Sequence, residues 1–159
     1  MTVHLRAYPE ARLAAQPIGY WSDLTARLVL AAIRGELAEE GLTQPHWWTL
    51  NHVAGAPGDW ERTALAAKLA PYATGHLPAV DFDRVFDDLR DRGWLAESAD
   101  GGALVLTEAG EAGRQRARER LAAAHERIHD GIPAADRAAA LDVLRRMVAN
   151  LGGDADLPS

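Results

Sequence analysis

The sequence predicts a mainly α-helical chain that carries one small β-hairpin. Apolar residues recur at helical spacing over most of the chain, whereas short apolar runs at 94–97 and 103–106 flank the turn sequence Asp100-Gly101-Gly102. Such a turn tolerates positive φ and suits a hairpin. Two long helical stretches follow, at 108–129 and 133–151. This order predicts a winged helix-turn-helix fold with long additional helices.

The composition is that of a soluble globular protein, because 48% of the 159 residues are apolar and 25% are charged. No run approaches the roughly 20 apolar residues of a membrane span, and no signal peptide is evident at the N-terminus. Cysteine is absent, which excludes disulfides and thiolate metal sites. We therefore expect a cytoplasmic protein that does not associate with membranes.

The formal net charge of −6 does not favour binding to the DNA backbone, because phosphate neutralisation supplies most non-specific affinity. Lys68 is the only lysine, so almost all positive charge is arginine. Arginine suits bidentate contacts to phosphate, but abundant arginine, alanine and glycine also result from a GC-rich genome. The genome composition is the favoured explanation, and phosphate binding is the alternative.

The remaining elements are predicted from periodicity and capping signals. Residues 18–40 form a helix with two apolar stripes, which needs two packing partners and suggests a second chain. Thr43 is the expected N-cap of the next helix, with Pro45 in its first turn. Further helices are predicted at 61–69 and 81–92, residues 70–79 form an irregular turn, residues 1–17 form an arm, and residues 152–159 form a tail.

Three segments resemble the MarR family of ligand-responsive regulators. Residues 42–50, Leu-Thr-Gln-Pro-His-Trp-Trp-Thr-Leu, are similar to the opening of the family's second helix. Residues 89–95, Leu-Arg-Asp-Arg-Gly-Trp-Leu, resemble the end of its recognition helix. Residues 106–110, Leu-Thr-Glu-Ala-Gly, resemble its wing-to-helix junction, where a threonine caps the following helix. The resemblance covers residues 18–151.

The resemblance implies a homodimer that binds double-stranded DNA and releases it when a small aromatic effector binds. In that family, helices of two chains interleave, and here these would be residues 18–40 and 108–151. The winged lobe would span residues 43–107. No cofactor is implied, and we do not expect an enzyme.

The residues expected to contact DNA lie in the helix at 81–92 and in the turn before it. A recognition helix presents polar and basic side chains to base edges and phosphates near its start. The candidates are Arg84 and Arg90 in the helix and Tyr72, Thr74 and His76 in the turn. The alternative for Arg84 and Arg90 is pairing with Asp87 and Asp88 along a solvated helix face.

Three features depart from the family's pattern. The helix at 81–92 contains five Asp and three Arg, a local charge of −2. The wing sequence at 97–103 has no basic residue where family members carry a minor-groove arginine. The turn between the motif helices is also longer than usual. The alternative function is therefore a MarR fold that has lost DNA binding and serves as a small-molecule-binding protein or a recruited enzyme.

Aromatic side chains on the first two long helices predict a small-molecule site. Stacking on tryptophan beside a polar group suits a planar, partly polar ligand. The candidates are Tyr20, Trp21, His46, Trp47, Trp48, Asn51 and His52. Core packing is the favoured alternative for Trp47, and core or dimer contact remains open for Trp48 and His52. We expect Arg114 to be a surface residue distant from this site.

His125-Glu126-Arg127-Ile128-His129 matches the H-E-x-x-H zinc signature, in which two histidines on one helical face bind the metal. The match fixes only three residues, and no third ligand follows at a recognisable spacing. Histidines near a helix C-terminus are also favoured by the helix dipole. A metal-dependent hydrolase is the least favoured class, and His125 and His129 remain weak metal candidates.

Overall fold

A computed structural model of the chain describes residues 6–73, 79–99 and 102–157. In chain order the elements are α1 (Glu10–Ala14), α2 (Ile18–Ala38), α3 (Gln44–Gly55), α4 (Arg62–Leu69), a 3-10 helix (Ala70–Ala73), α5 (Phe82–Asp91), β1 (Leu95–Glu97), β2 (Leu104–Leu106), α6 (Glu108–Ile128) and α7 (Ala134–Asn150). The predicted fold class, mainly helical with one hairpin, is confirmed. None of the helices in the described residues is long and apolar enough to cross a membrane.

The chain divides into two compact units, and the boundary falls within α6, after Ala124. The larger unit runs from Pro17 to Ala124 and has a single apolar core. Helices α2 to α6 and both strands contribute to it through Leu37, Leu50, Val53, Leu65, Leu69, Val85, Phe86, Leu89, Leu95, Leu104, Ala117 and Leu121. Trp47 and Trp48 are partly buried against this core.

Helix α3 begins at the predicted N-cap. The side chain of Thr43 accepts a hydrogen bond from the backbone N–H of His46, and His46 Nδ1 accepts one from the backbone N–H of Thr43 at 3.2 Å. This reciprocal pair is a capping box in which histidine takes the position usually held by Glu or Gln. Before it, Gly41 adopts a φ of 66° and the N–H of Leu42 donates to the carbonyl of Leu37 at 2.9 Å. That glycine therefore ends α2 in the left-handed conformation that favours glycine.

The hairpin leads directly into α6. Strand β1 pairs antiparallel with β2, with Leu95 opposite Leu106, and each strand begins one residue later than predicted. Thr107 Oγ1 donates to the carbonyl of Gly93 at 2.6 Å and accepts from the N–H of Gly110 at 3.0 Å. The predicted threonine cap of this helix is therefore present, although Asp100 and Gly101 of the predicted turn lie outside the described residues.

The smaller unit combines the N-terminal residues up to Gln16 with the residues from His125 onward. Its helix α1 lies in the stretch that the sequence predicts to be an arm, and it buries no side chain. Helix α7 matches the predicted helix to within one residue at each end, and it too has no buried residue. Its apolar side chains Leu141, Leu144 and Val148 are exposed, as is Leu151 directly after its end.

Candidate DNA-contacting and ligand-binding sites

Helix α5 follows α4 as the second helix of the helix-turn-helix. Its N-cap Asp81 accepts a hydrogen bond from the backbone N–H of Arg84 at 3.2 Å. The apolar residues Phe82, Val85, Phe86 and Leu89 are buried. The side chains of Asp83, Arg84 and Arg90 are exposed. This helix therefore presents both acidic and basic groups on its outer surface.

Arg62 at the start of α4, which was not among the predicted site residues, compensates acidic charge of α5. Its Nη2 lies 3.1 Å from Asp83 Oδ1, and its Nη1 lies 3.0 Å from Asp87 Oδ1. The guanidinium also lies over the ring of Phe86, 5.4 Å from the ring centroid. Burial lowers the pKa of Arg62, but hydrogen bonds to Asp83 and Asp87 outweigh burial and raise the pKa above its ordinary value. Arg62 therefore stays charged and ties α4 to α5.

The predicted DNA-contacting arginines differ in their surroundings. Arg90 Nη2 lies 3.2 Å from Asp87 Oδ1. This contact agrees with the alternative interpretation, in which Arg90 pairs with an aspartate along a solvated helix face. Arg84 is exposed, and its side chain pairs with no carboxylate in the described part of the chain. Thr74 and His76 lie outside the described residues, so their placement stays a prediction.

His46 connects the start of α3 to α5. Because its Nδ1 accepts from the N–H of Thr43, its Nε2 carries the proton, and Nε2 lies 2.9 Å from Asp88 Oδ2 without hydrogen-bond geometry. Burial lowers the pKa of His46, and the nearby carboxylate of Asp88 only partly opposes this. Arg92 Nη2 lies 2.8 Å from the same oxygen. His46 thus has a structural role, which competes with its predicted role in ligand binding.

An open cleft of about 460 Å³ lies beside this contact, between the start of α3 and α5. Its walls include Pro45, Val80, Val85, Arg84 and Asp88. Since residues of α5, among them Arg84, Val85 and Asp88, line the cleft, it belongs to the surface that presents α5.

Four rings form what we call the aromatic cluster: Trp48, His52, Trp60 and Tyr72. The centroid of Tyr72 lies 5.8 Å from that of Trp48 and 5.6 Å from that of His52, and the centroid of Trp60 lies 6.2 Å from that of His52. His52 Nδ1 donates to the carbonyl of Trp48 at 2.9 Å, which leaves Nε2 as an acceptor 3.5 Å from the Tyr72 hydroxyl. The structure therefore brings together Trp48 and His52, which were predicted to bind a ligand, and Tyr72, which was predicted to contact DNA. Trp60, the fourth ring, was not among the predicted site residues.

Asn51 lies on the same helix and is held by a polar network. Its Nδ2 donates to the carbonyl of Trp47 at 2.8 Å, and its Oδ1 accepts from Arg114 Nη1 at 3.2 Å. Arg114 also makes two hydrogen bonds of 2.7 Å to Glu111. Hydrogen bonds from Arg114 and Gln115 lower the pKa of Glu111 to about 2. The expectation that Arg114 is a distant surface residue is therefore wrong.

In the described residues, Tyr20 and Trp21 make no ring contact with the aromatic cluster. Tyr20 and Trp21 pack edge to face on α2 with centroids 5.4 Å apart, and both are at least half exposed. In the smaller unit, the exposed rings of His125 and His129 lie 6.3 Å apart. Within the described residues, no group of three or more potential metal-binding side chains exists.

Solved structures of the same architecture are known. The PcaV transcriptional regulator from Streptomyces coelicolor is 19% identical with a TM-score of 0.67, over 86% of this chain and 98% of that one. The regulator CouR from Rhodococcus jostii RHA1, bound to p-coumaroyl-CoA, is 23% identical with a TM-score of 0.60, over 84% and 92%. A MarR-family protein of Mycobacterium tuberculosis in complex with DNA is 25% identical with a TM-score of 0.59, over 87% and 99%.

No protein-family model and no curated protein matches the chain. The structural likeness nevertheless extends over most of the chain and nearly all of each solved structure. The chain therefore has the winged-helix fold of the MarR-family transcriptional regulators.

Proposed function

We propose that this chain is a ligand-responsive transcriptional regulator of the MarR type, which acts as a homodimer and binds a small aromatic effector. The observation that carries the proposal is the joint presence of an exposed polar face on α5 and an aromatic cluster on the neighbouring helices. Structures with this fold include a complex with DNA and complexes with p-coumaroyl-CoA and with salicylic acid. A ligand that favours one arrangement of the lobes would shift the population away from the DNA-binding arrangement.

The aromatic cluster supports an aromatic, partly polar ligand. Trp48 and His52 are partly buried, whereas Tyr72 is 38% exposed and stands at the edge of the cluster. The ring faces offer stacking, and the Tyr72 hydroxyl, 3.5 Å from His52 Nε2, offers a polar group for a hydroxyl or carboxylate of the ligand. Asn51 lies on α3 between Trp48 and His52 in the sequence, and its amide accepts a hydrogen bond from the guanidinium of Arg114 on α6. We propose that these groups hold the effector.

Salicylate and p-coumarate are expected to quench the tryptophan fluorescence and to raise the melting temperature, because a ligand of the folded state stabilises it. Trp48→Ala should weaken binding about fivefold, since stacking on an aromatic ring contributes about 1 kcal/mol beyond area burial. Lys68→Ala, on the exposed surface of α4, serves as the control because Arg114 contacts Asn51. A broad panel of aromatic acids that produces neither quenching nor a thermal shift would refute the ligand site.

A second candidate function retains the ligand site without DNA binding. It is favoured by the paired state of the α5 carboxylates, by the absence of Lys and Arg from the wing sequence at 95–106, and by the net charge of −6. Few positive groups are then available for phosphates. Measured DNA binding separates the two candidates.

The regulator proposal gives a specific expectation for DNA binding. The slope of log affinity against log salt should be well below the roughly ten of a strongly electrostatic repressor, because few phosphate contacts are available. Arg84→Ala should abolish binding to promoter DNA and leave the mass in solution unchanged. The control Arg90→Ala should have a smaller effect, because Arg90 already pairs with Asp87. Titrations at several salt concentrations provide the measurement.

Two outcomes would contradict this expectation. Nanomolar affinity with a steep salt dependence would show that DNA is contacted by other residues than those of α5. Failure to bind any duplex at low salt would favour the second candidate function.

A further inference from the structure

We propose that Asp83 determines base specificity by accepting a hydrogen bond from a cytosine amino group in the major groove, and that Arg62 is the positioning residue that holds Asp83. This inference rests on the proposed DNA-binding function. By net charge alone, the carboxylate of Asp83 counts against DNA binding. The inference instead gives this carboxylate a base that it recognises.

The position of Asp83 suits contact with base edges. It is the second residue of α5, and its side chain is 76% exposed. Its neighbours Phe82, Val85 and Phe86 are buried, so Asp83 lies on the outward side of the first turn. In helix-turn-helix proteins the N-terminal residues of the second helix contact base edges.

Arg62 fixes the orientation of this carboxylate from a different helix. Its Nε and Nη2 donate to Asp83 Oδ1 at 3.3 and 3.1 Å, and Nη2 also donates to the backbone carbonyl of Asp83 at 3.0 Å. The guanidinium is itself held by the ring of Phe86 and by Asp87. Since both side-chain bonds reach Oδ1, the second oxygen, Oδ2, is left to accept a hydrogen bond from another molecule.

The chemistry of the major groove selects cytosine for such an oxygen. Guanine presents only acceptors there, and thymine presents an acceptor and a methyl group. Adenine presents an amino donor beside the N7 acceptor, which would repel a carboxylate. Cytosine presents its N4 amino group as a donor, and Asp or Glu is the side chain that pairs with it. An Asp with one oxygen already occupied therefore favours cytosine.

The ion pair between Arg62 and Asp83 also reduces the electrostatic repulsion that an acidic recognition helix would meet from DNA. A lone carboxylate at the start of α5 would be repelled by the phosphates on both sides of the groove. Because the charge of Arg62 lies 3.1 Å from Asp83 Oδ1, the repulsion from the pair is far weaker than from Asp83 alone. The acceptor oxygen is retained while the net charge at the tip of the helix is reduced.

The test is selection from a randomised duplex library with the full-length chain and its variants. The wild type should enrich a cytosine at one position of each half-site. Asp83→Ala should lose that preference by about tenfold or more, as expected for loss of a specific base contact. Asp83→Asn should change the preference at that position to adenine, because an amide pairs with N6 and N7 of adenine. A merely structural role for Asp83 would not produce this change.

Arg62 variants test the positioning role. Arg62→Ala should reduce the cytosine preference although Asp83 is still present, and Arg62→Lys should restore part of it. Asp91→Ala is the matched control, since Asp91 is equally exposed at 76% but lies at the other end of α5. Thermal unfolding of each variant verifies that it is folded.

The outcomes separate this inference from the function on which it rests. If Asp83→Ala and Asp83→Asn enrich the same sequences as the wild type, the inference is overturned and DNA binding stands. If the wild type itself enriches no sequence, both the DNA-binding proposal and the inference fail.

Discussion

Replacing Gly110 by alanine is expected to destabilise the larger unit by about 3 kcal/mol, the upper part of the range for overpacking a filled site. A Cβ atom at this position would overlap the backbone carbonyl of Trp94. That carbonyl cannot move freely, because it accepts a hydrogen bond from the N–H of Thr107 at 3.1 Å. The start of α6 would therefore have to move away from the hairpin. Urea unfolding followed by circular dichroism measures the effect.

Gly19→Ala is the control, because Gly19 also lies in a long helix, on the face of α2 opposite to Trp21 and Leu28, and has no atom within 4 Å of the added Cβ. Alanine in a helix is favoured over glycine by up to about 1 kcal/mol, so this variant should be as stable as the wild type or more so. The two glycines should therefore respond in opposite directions. Equal stability of Gly110→Ala and the wild type would show that α6 does not pack as closely on Trp94 as described.

The elements of the fold could be predicted because their signals are local. Thr43 precedes a proline and an apolar periodic segment, and it proves to be the N-cap of α3. The two short runs beside the Gly-rich turn became strands within one residue of their predicted starts. Helix α1 was not predicted, since its five residues bury no side chain and so leave no apolar period in the sequence.

The candidate site could be predicted only in part, because its contacts join distant segments. Trp48 and His52 were predicted as stacking and polar groups of one helix, but their partner Tyr72 lies 20 positions beyond His52. Arg62 is 21 positions from Asp83, and Arg114 is 63 positions from Asn51. The periodicity within one helix contains no information about contacts between residues so far apart in the sequence. The acidic charge of α5 was correctly counted, but its compensation by Arg62 could only be seen in three dimensions.

The exposed apolar surface of α7 supports the proposed homodimer. Leu141, Leu144, Val148 and Leu151 follow one another at helical spacing, and their exposed fractions range from 37% to 87%. An amphipathic helix obtains most of its stability from packing its apolar face, yet no residue of α7 is buried. On α2, Trp21 and Leu28 are likewise at least half exposed. We propose that a second copy of the chain covers both surfaces.

The double substitution Leu144→Glu and Val148→Glu is therefore expected to convert the protein to monomers. Burying each such apolar side chain contributes about 1.5–3 kcal/mol, and the loss occurs in both copies, so the dissociation constant should rise roughly a thousandfold or more. Light scattering after gel filtration should give twice 17.2 kDa for the wild type and 17.2 kDa for the variant. Ala139→Glu, on the opposite face of α7 by helical spacing, should leave the dimer intact because it adds a charge of the same sign outside the apolar surface. A wild type that remains monomeric at micromolar concentration would remove the dimer from the proposed function, and with it any expectation of two-fold symmetric operator sites.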